Sequence, residues 1–201
     1  KFLCPAPGYD RHFKICEHFG IEMINIPMHS DGPDMDMIEK LVAEDETIKG
    51  IWCVPLYSNP DGIAYSDEVV RRFADLSPKA KDFRIFWDNA YIIHDVIYGA
   101  KRVKNIYEAC KAQGNEDRVF MYTSTSEISF PGAGVACLAA SEANLAQIKK
   151  LLAIQTIGPD KVNQLRHCRY FKDAKGVEAH MLKHAKILKP TFDAMCEILE
   201  R

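Results

Sequence analysis

The sequence has no long apolar run. None of its 201 residues lies in a stretch near the roughly 20 residues that a membrane-spanning helix needs, which argues against membrane insertion. It has no charge imbalance either. Lys and Arg total 26 against 28 for Asp and Glu, a net charge of −2, so there is no basic footprint for nucleic acid. No CxxC spacing occurs among the seven cysteines, which excludes the usual zinc and disulfide patterns. An odd, scattered set, mostly in apolar surroundings (Cys16, Cys53, Cys110, Cys137, Cys196), fits reduced thiols and a cytoplasmic setting. Metal spacing is also missing. His180 and His184 stand one helical turn apart but lack further ligands, and His12, His18 and His29 have no convergent partner. There is no internal repeat, signal peptide or initiating Met. The chain opens at Lys1, directly before the strand-like Phe2-Leu3-Cys4, so its beginning is expected to be missing.

What is present is ordinary globular composition, 47% apolar and 27% charged, in a length that suits one domain or one domain and part of another. The pattern alternates short apolar runs with amphipathic stretches. Strands are expected at Phe2–Cys4, Ile21–Pro27, Ile48–Pro55, Phe83–Trp87, Val119–Tyr122 and Val135–Ala140. Helices are expected from an Asp10 cap to about Phe19, with Phe13, Cys16 and Phe19 inward, then at Met35–Ala43, from Ser66, at Val103–Gln113 and from Ser141 to Leu152. Asp31-Gly32-Pro33-Asp34 reads as a turn. Another helix follows Gly158-Pro159-Asp160 with Val162, Leu165 and Cys168 inward, and a last one runs from Gly176 to Arg201, kinked or divided at Pro190. Alternation of this kind predicts an α/β fold, a mostly parallel sheet flanked by helices on both faces.

In such folds ligands dock at the carboxyl ends of strands. Four loops there carry distinctive chemistry. Tyr9 offers a flat face for ring stacking. Asn59, in Tyr57-Ser58-Asn59-Pro60-Asp61-Gly62, offers an amide. Asp88 closes an apolar strand and offers a charge partner for a ring N–H, with the Tyr91 hydroxyl three residues on. Ser124 and Ser126 offer hydroxyls to a phosphate. A flat phosphorylated pyridine with a phenolic oxygen calls for this inventory.

The ordered blocks Tyr57–Gly62, Asp88-Asn89-Ala90-Tyr91 and Ser124-Thr125-Ser126, the last before the Gly-rich turn Pro131-Gly132-Ala133-Gly134, are spaced about thirty and then just under forty residues apart. In this the chain resembles the large domain of fold-type I pyridoxal-phosphate enzymes, in the aspartate aminotransferase-like branch. The resemblance implies pyridoxal 5′-phosphate as cofactor. Tyr9 would stack on its ring, Asn59 and Tyr91 would bond its phenolic oxygen, Asp88 would pair with its protonated nitrogen, and Ser124 and Ser126 would lie at its phosphate. His94 would either support Asp88 from behind or serve a structural role. The resemblance further implies residues 1–175 as the cofactor-binding large domain, residues 176–201 as the helix leading toward a small domain, and a homodimer in the full-length protein.

Three departures qualify the resemblance. The family places a Schiff-base lysine directly after Ser-x-Ser, and here that position is Glu127, with no lysine within ten residues of it. Glu127 reads as a variant residue in an ordinary aminotransferase sequence, as the mark of a natural relative without activity, or as a sequence error. An arginine that commonly clamps the phosphate is replaced by the zone Gly132–Val135, either a backbone anion cradle or a close contact needing small residues. The family's upstream phosphate loop and its substrate-carboxylate arginine have no counterpart in the chain. The implied function is amino-group transfer between an aspartate-like amino acid and a 2-oxo acid, in a chain that is itself inactive because of Glu127. The alternatives are a non-catalytic aminotransferase-like domain of a transcriptional regulator or scaffold, and another reaction of the same cofactor such as β-elimination or decarboxylation.

Overall fold

The computed structural model describes residues 1–96, 100 and 102–200. In chain order the elements are β1 (Phe2–Ala6), α1 (Asp10–His18), β2 (Met23–His29), β3 (Gly32–Pro33), α2 (Met35–Glu44), β4 (Gly50–Cys53), α3 (Asp67–Asp75), β5 (Arg84–Asp88), α4 (Ile106–Ala112), a 3-10 turn at Glu116–Arg118, β6 (Val119–Ser124), β7 (Ala136–Ala139), α5 (Glu142–Gln155), α6 (Lys161–Phe171) and α7 (Ala174–Leu199). The strands form one seven-stranded sheet in the order β3-β2-β1-β4-β5-β6-β7. The inner five are parallel, while β3 and β7 run antiparallel at the two edges. The mostly parallel α/β sheet expected from the alternation is therefore present. The two-residue β3 lies where the sequence reads as a turn, because Gly32 and Pro33 pair with His29 and Met28 before the chain enters α2.

Strand alternation sorts the side chains onto two faces. Ile51 and Cys53 of β4, and Ile85 and Trp87 of β5, join the main core with Ile38 and Val42 of α2, Val70 and Phe73 of α3, and Cys110 of α4. The opposite face presents Trp52, Phe86, Phe120 and Tyr122, which touch ring to ring. Helix α1 sits on that second face, where Trp52 Nε1 donates to Cys16 Sγ at 3.4 Å. With α1 on one side and α2 to α4 on the other, successive crossovers leave β1 in opposite directions, which makes the β1/β4 gap a topological switch point.

Most helix starts follow the sequence signals. Asp34, Ser66, Asn105, Ser141, Asp160 and Asp173 each accept a backbone N–H of the first turn. Helix α1 differs: Tyr9 holds the cap position without a side-chain bond, and Asp10 is the first helical residue, its charge favoured by the helix dipole. Phe19 is exposed rather than inward, since it lies past the last turn of α1. Val162, Leu165 and Cys168 are exposed too. Helix α6 turns His167 and Phe171 inward instead: His167 bonds the loop after β6, and Phe171 packs with Ile128 and Met181. Helix α7 continues through Pro190 undivided. The carbonyl of Lys186 that Pro190 cannot bond lies in a solvent-exposed stretch, where the missing bond costs least. Arg201, the expected end of this helix, is outside the described residues.

Phe73 has no solvent exposure and lies 6.2 Å from Tyr65 and 5.8 Å from Trp87, ring centre to centre. Phe73→Ala is expected to cost about 3–5 kcal/mol of stability, read from the urea midpoint. Gly50 is the converse case. A Cβ there would lie 2.4 Å from Phe2 Cζ and 2.8 Å from the Arg84 carbonyl oxygen, so Gly50→Ala is expected to cost about 1–3 kcal/mol by overpacking.

Candidate active site

Parallel pairing puts the carboxyl ends of β1, β4, β5 and β6 side by side on one edge of the sheet. Every site residue expected from the sequence leaves from that edge. Tyr9 follows β1, Asn59 lies in the loop after β4 beside a cis peptide to Pro60, Asp88 ends β5, Tyr91 is in the turn after it, Ser124 ends β6, and Ser126 and Glu127 follow. Asp88 stands in register with Tyr122, two residues before Ser124.

Asp88 is the best-supported of these. Its Oδ2 lies 3.1 Å from Nε2 of His12, and an ionised carboxylate can only accept, so the imidazole donates. His12 is buried, and its ring stacks on Trp52 at 4.4 Å with an interplanar angle of 7°. Tyr9 meets the same imidazole edge-on at 5.4 Å. This corrects the expectation that His12 has no convergent partner. A signal existed, because His12 follows Tyr9 by three residues and precedes Cys16 by four, on the buried face of α1. The supporting role considered for His94 is not observed. His94 Nε2 instead donates to the Glu127 carbonyl at 3.0 Å, and its ring meets Tyr91 edge-on. Burial first, and then the Asp88 charge, push the Tyr122 hydroxyl up to about 12.

The loops are fastened to one another. Tyr57, at the start of the Asn59 loop, donates to Asp95 at 2.7 Å, and Asp95 pairs with Arg102 at 2.6 Å. Burial and the Asp95 partner push the Tyr57 hydroxyl up to about 12. Past β6, three histidines from three elements grip the chain. His94 takes the carbonyl of Glu127, His180 of α7 takes that of Ile128 at 2.9 Å, and His167 of α6 takes the Thr125 hydroxyl at 3.1 Å. His167 Nδ1 donates to the Asn163 carbonyl, which leaves Nε2 to accept from Thr125, while the Ser129 hydroxyl donates to the Thr125 carbonyl at 3.0 Å. Thr125 Oγ1 in turn accepts the Val135 N–H at 2.9 Å.

The Gly-rich turn is held by Asn163, whose amide donates to the carbonyls of Ala133 and Gly134. A Cβ on Gly134 would stand 2.6 Å from Ser126 Oγ. Gly134 is therefore small because the Ser126 loop passes against it. Sequence reading missed Tyr122, Asn163 and His167. The first shows only through strand register, and the other two only through docking of α6.

Among the described residues, Asp88 Oδ1, the Asn59 amide, the Tyr91 hydroxyl and the Ser126 hydroxyl make no hydrogen bond. Ser124 Oγ accepts only the Ser126 N–H, at 3.3 Å. One edge thus offers a braced carboxylate, a phenol, an amide and two hydroxyls. That donor set fits the nitrogen, phenolic oxygen and phosphate of pyridoxal phosphate. It does not fit covalent attachment, because Glu127 is a carboxylate.

Sheet order and edge chemistry agree with the resemblance to the large domain of fold-type I pyridoxal-phosphate enzymes. The chain belongs to the aspartate aminotransferase family, whose model matches residues 1–201. It is 52% identical over its full length to a Mycolicibacterium smegmatis protein whose name places it among the aminotransferases, and 47% identical to an aspartate aminotransferase of Corynebacterium glutamicum. It covers 47% and 46% of these two proteins, so it spans about half the length of the curated relatives it matches. A crystal structure of an aspartate transaminase from Corynebacterium glutamicum superposes with a TM-score of 0.95 at 47% identity, over 99% of this chain and 47% of that one.

Two outcomes follow for the edge. A tyrosine whose folded-state pKa is raised contributes stability that is complete below its unfolded value near 10 and is lost as pH rises toward the folded value. Thermal midpoints are therefore expected to fall between pH about 10 and about 12, and Tyr122→Phe is expected to shrink that fall. Thr125→Val keeps the shape but strands the Val135 N–H and removes the donor to His167. It is expected to cost about 1–3 kcal/mol by urea denaturation.

Proposed function

We propose that this chain is the cofactor-binding half of an aminotransferase that moves an amino group between an aspartate-like amino acid and a 2-oxo acid, and that Glu127 leaves the chain itself inactive. The observation that carries this reading is the Asp88 carboxylate at the end of β5, braced at 3.1 Å by a buried imidazole. Bound pyridoxal 5′-phosphate would supply an electron-withdrawing ring that stabilises negative charge at the substrate Cα. The chain's own residues would do the holding. Asp88 would keep the ring nitrogen protonated, with His12 and Trp52 fixing the carboxylate's direction. Tyr91 and Asn59 would bond the phenolic oxygen, Tyr9 would cover the ring face, and Ser124 and Ser126 would bond the phosphate.

A lysine after Ser126 would both attach the cofactor and carry the proton at the substrate carbon. Glu127 cannot form the imine, so the substitution removes the attachment. It also supports a second reading, a domain that binds cofactor without turnover, as in a regulator or scaffold. The full-length protein is proposed to be a homodimer in the cytoplasm. The buried free thiols Cys4, Cys16, Cys53 and Cys110 support a reducing setting.

Calorimetric titration of the full-length protein with pyridoxal 5′-phosphate tests the site. Asp88→Ala is expected to weaken binding about tenfold or more, and His12→Phe, which keeps a ring on Trp52, by several-fold. Unchanged binding in Asp88→Ala would overturn the cofactor reading. Glu127→Lys is expected to turn the protein yellow on adding the cofactor and to give amino transfer. Binding that depends on Asp88, with neither colour nor transfer in Glu127→Lys, would favour the non-catalytic reading.

A further inference from the structure

Glu127 does more than delete a lysine, because a carboxylate carries its own preference. We infer that Glu127 selects the amine form of the cofactor, pairing its carboxylate with the ammonium group of pyridoxamine 5′-phosphate and disfavouring the aldehyde. The inference rests on the cofactor site proposed above.

The main chain at position 127 is held from both sides. Thr125 is fastened through its hydroxyl to His167 and Val135, and its backbone pairs with Val135. The carbonyls of Glu127 and Ile128 accept from His94 and His180. The Ile128 side chain is buried with Phe171 and Met181. The point from which the side chain leaves is thus set by its neighbours and does not depend on the residue at 127. The Glu127 side chain is itself exposed, and its carboxylate has no ion-pair partner among the described residues. Arg166 of α6 is engaged elsewhere, donating to Asn163 Oδ1 and lying 5.8 Å over the Phe130 ring.

Reach and charge then favour one occupant. A glutamate oxygen stands one bond short of where a lysine nitrogen would stand, and a charge-assisted hydrogen bond of about 2.8 Å makes up that difference. An aldehyde oxygen only accepts hydrogen bonds, so opposite a carboxylate it finds repulsion and no donor. An ammonium group donates and also cancels the charge. The edge already holds the Asp88 carboxylate and would receive a phosphate. A ring N–H offsets Asp88, but no cation of the described chain offsets Glu127. The ammonium group of the amine form supplies that cation.

The test measures calorimetric affinities of the full-length protein for pyridoxamine 5′-phosphate and pyridoxal 5′-phosphate, each alone. The unsubstituted protein is expected to bind the amine form about tenfold more tightly. Glu127→Gln, nearly the same shape without the charge and with an amide donor, is expected to bring the ratio close to one by weakening the amine form and strengthening the aldehyde form. Asp88→Asn is expected to weaken both forms together and leave the ratio unchanged. Equal affinities in the unsubstituted protein, or a ratio untouched by Glu127→Gln, overturn this inference while leaving the cofactor site standing. Failure to bind either form, with circular dichroism and thermal melting showing a folded protein, overturns both.

Discussion

Parallel strand pairing is the constraint on which the rest of this structure depends. It sends four consecutive core strands out at the same edge, so loops from distant parts of the sequence begin within neighbouring strand spacings. The reversal of crossover direction between β1 and β4 opens that edge. Tyr9 and Asn59 flank the opening, and Asp88 lies one strand further on. No loop has to be long to contribute. Each polar group stands within a few residues of a strand end that the apolar core holds in place.

That arrangement solves a particular electrostatic problem. A carboxylate at a partly covered edge pays for lost hydration unless a donor replaces the water. His12 supplies the donor from α1, the helix on the face opposite the main core, and Trp52 holds the imidazole flat. The aromatic rings that surface on this face therefore belong to the site as well as to the sheet. Beyond β6 the task differs, since a loop without regular structure must hold its course. Contacts from three histidines, in the turn after β5 and on α6 and α7, do this by bonding a carbonyl or hydroxyl of the loop.

The sheet was largely legible because buried parallel strands leave short apolar runs, and the caps Ser66, Ser141 and Asp160 have local signatures. The site loops were legible as an ordered set of polar residues after strands. The brace was not. His12 contacts Asp88 across 76 residues of sequence, and nothing at either position encodes the other. His94, adjacent in sequence to the Asp88 block, was the natural local candidate, yet its ring faces the next loop. The inward face of α6 escaped for a similar reason: His167 bonds Thr125 and Phe171 packs with Ile128 and Met181, while the apolar residues Val162 and Leu165 lie outside. Hydrophobic period reports burial against other apolar surface, and it is silent where a helix docks through polar groups.

The separation of the two halves of the edge explains how a residue as disruptive as Glu127 can stand in an otherwise intact framework. The acid that would address a ring nitrogen is supported by α1 and β4 through His12 and Trp52. The position that would carry a lysine is supported by α6, α7 and the turn after β5. The hydrogen bonds at the two places have no partner in common among the described residues. Changes at sites that share no partner tend to add independently. A charge reversal at 127 can therefore alter which form of a ligand would be preferred without unmaking the cradle proposed for its ring. The backbone at 127 is gripped through carbonyls, which every residue type provides, so the fold places no demand on the side chain there.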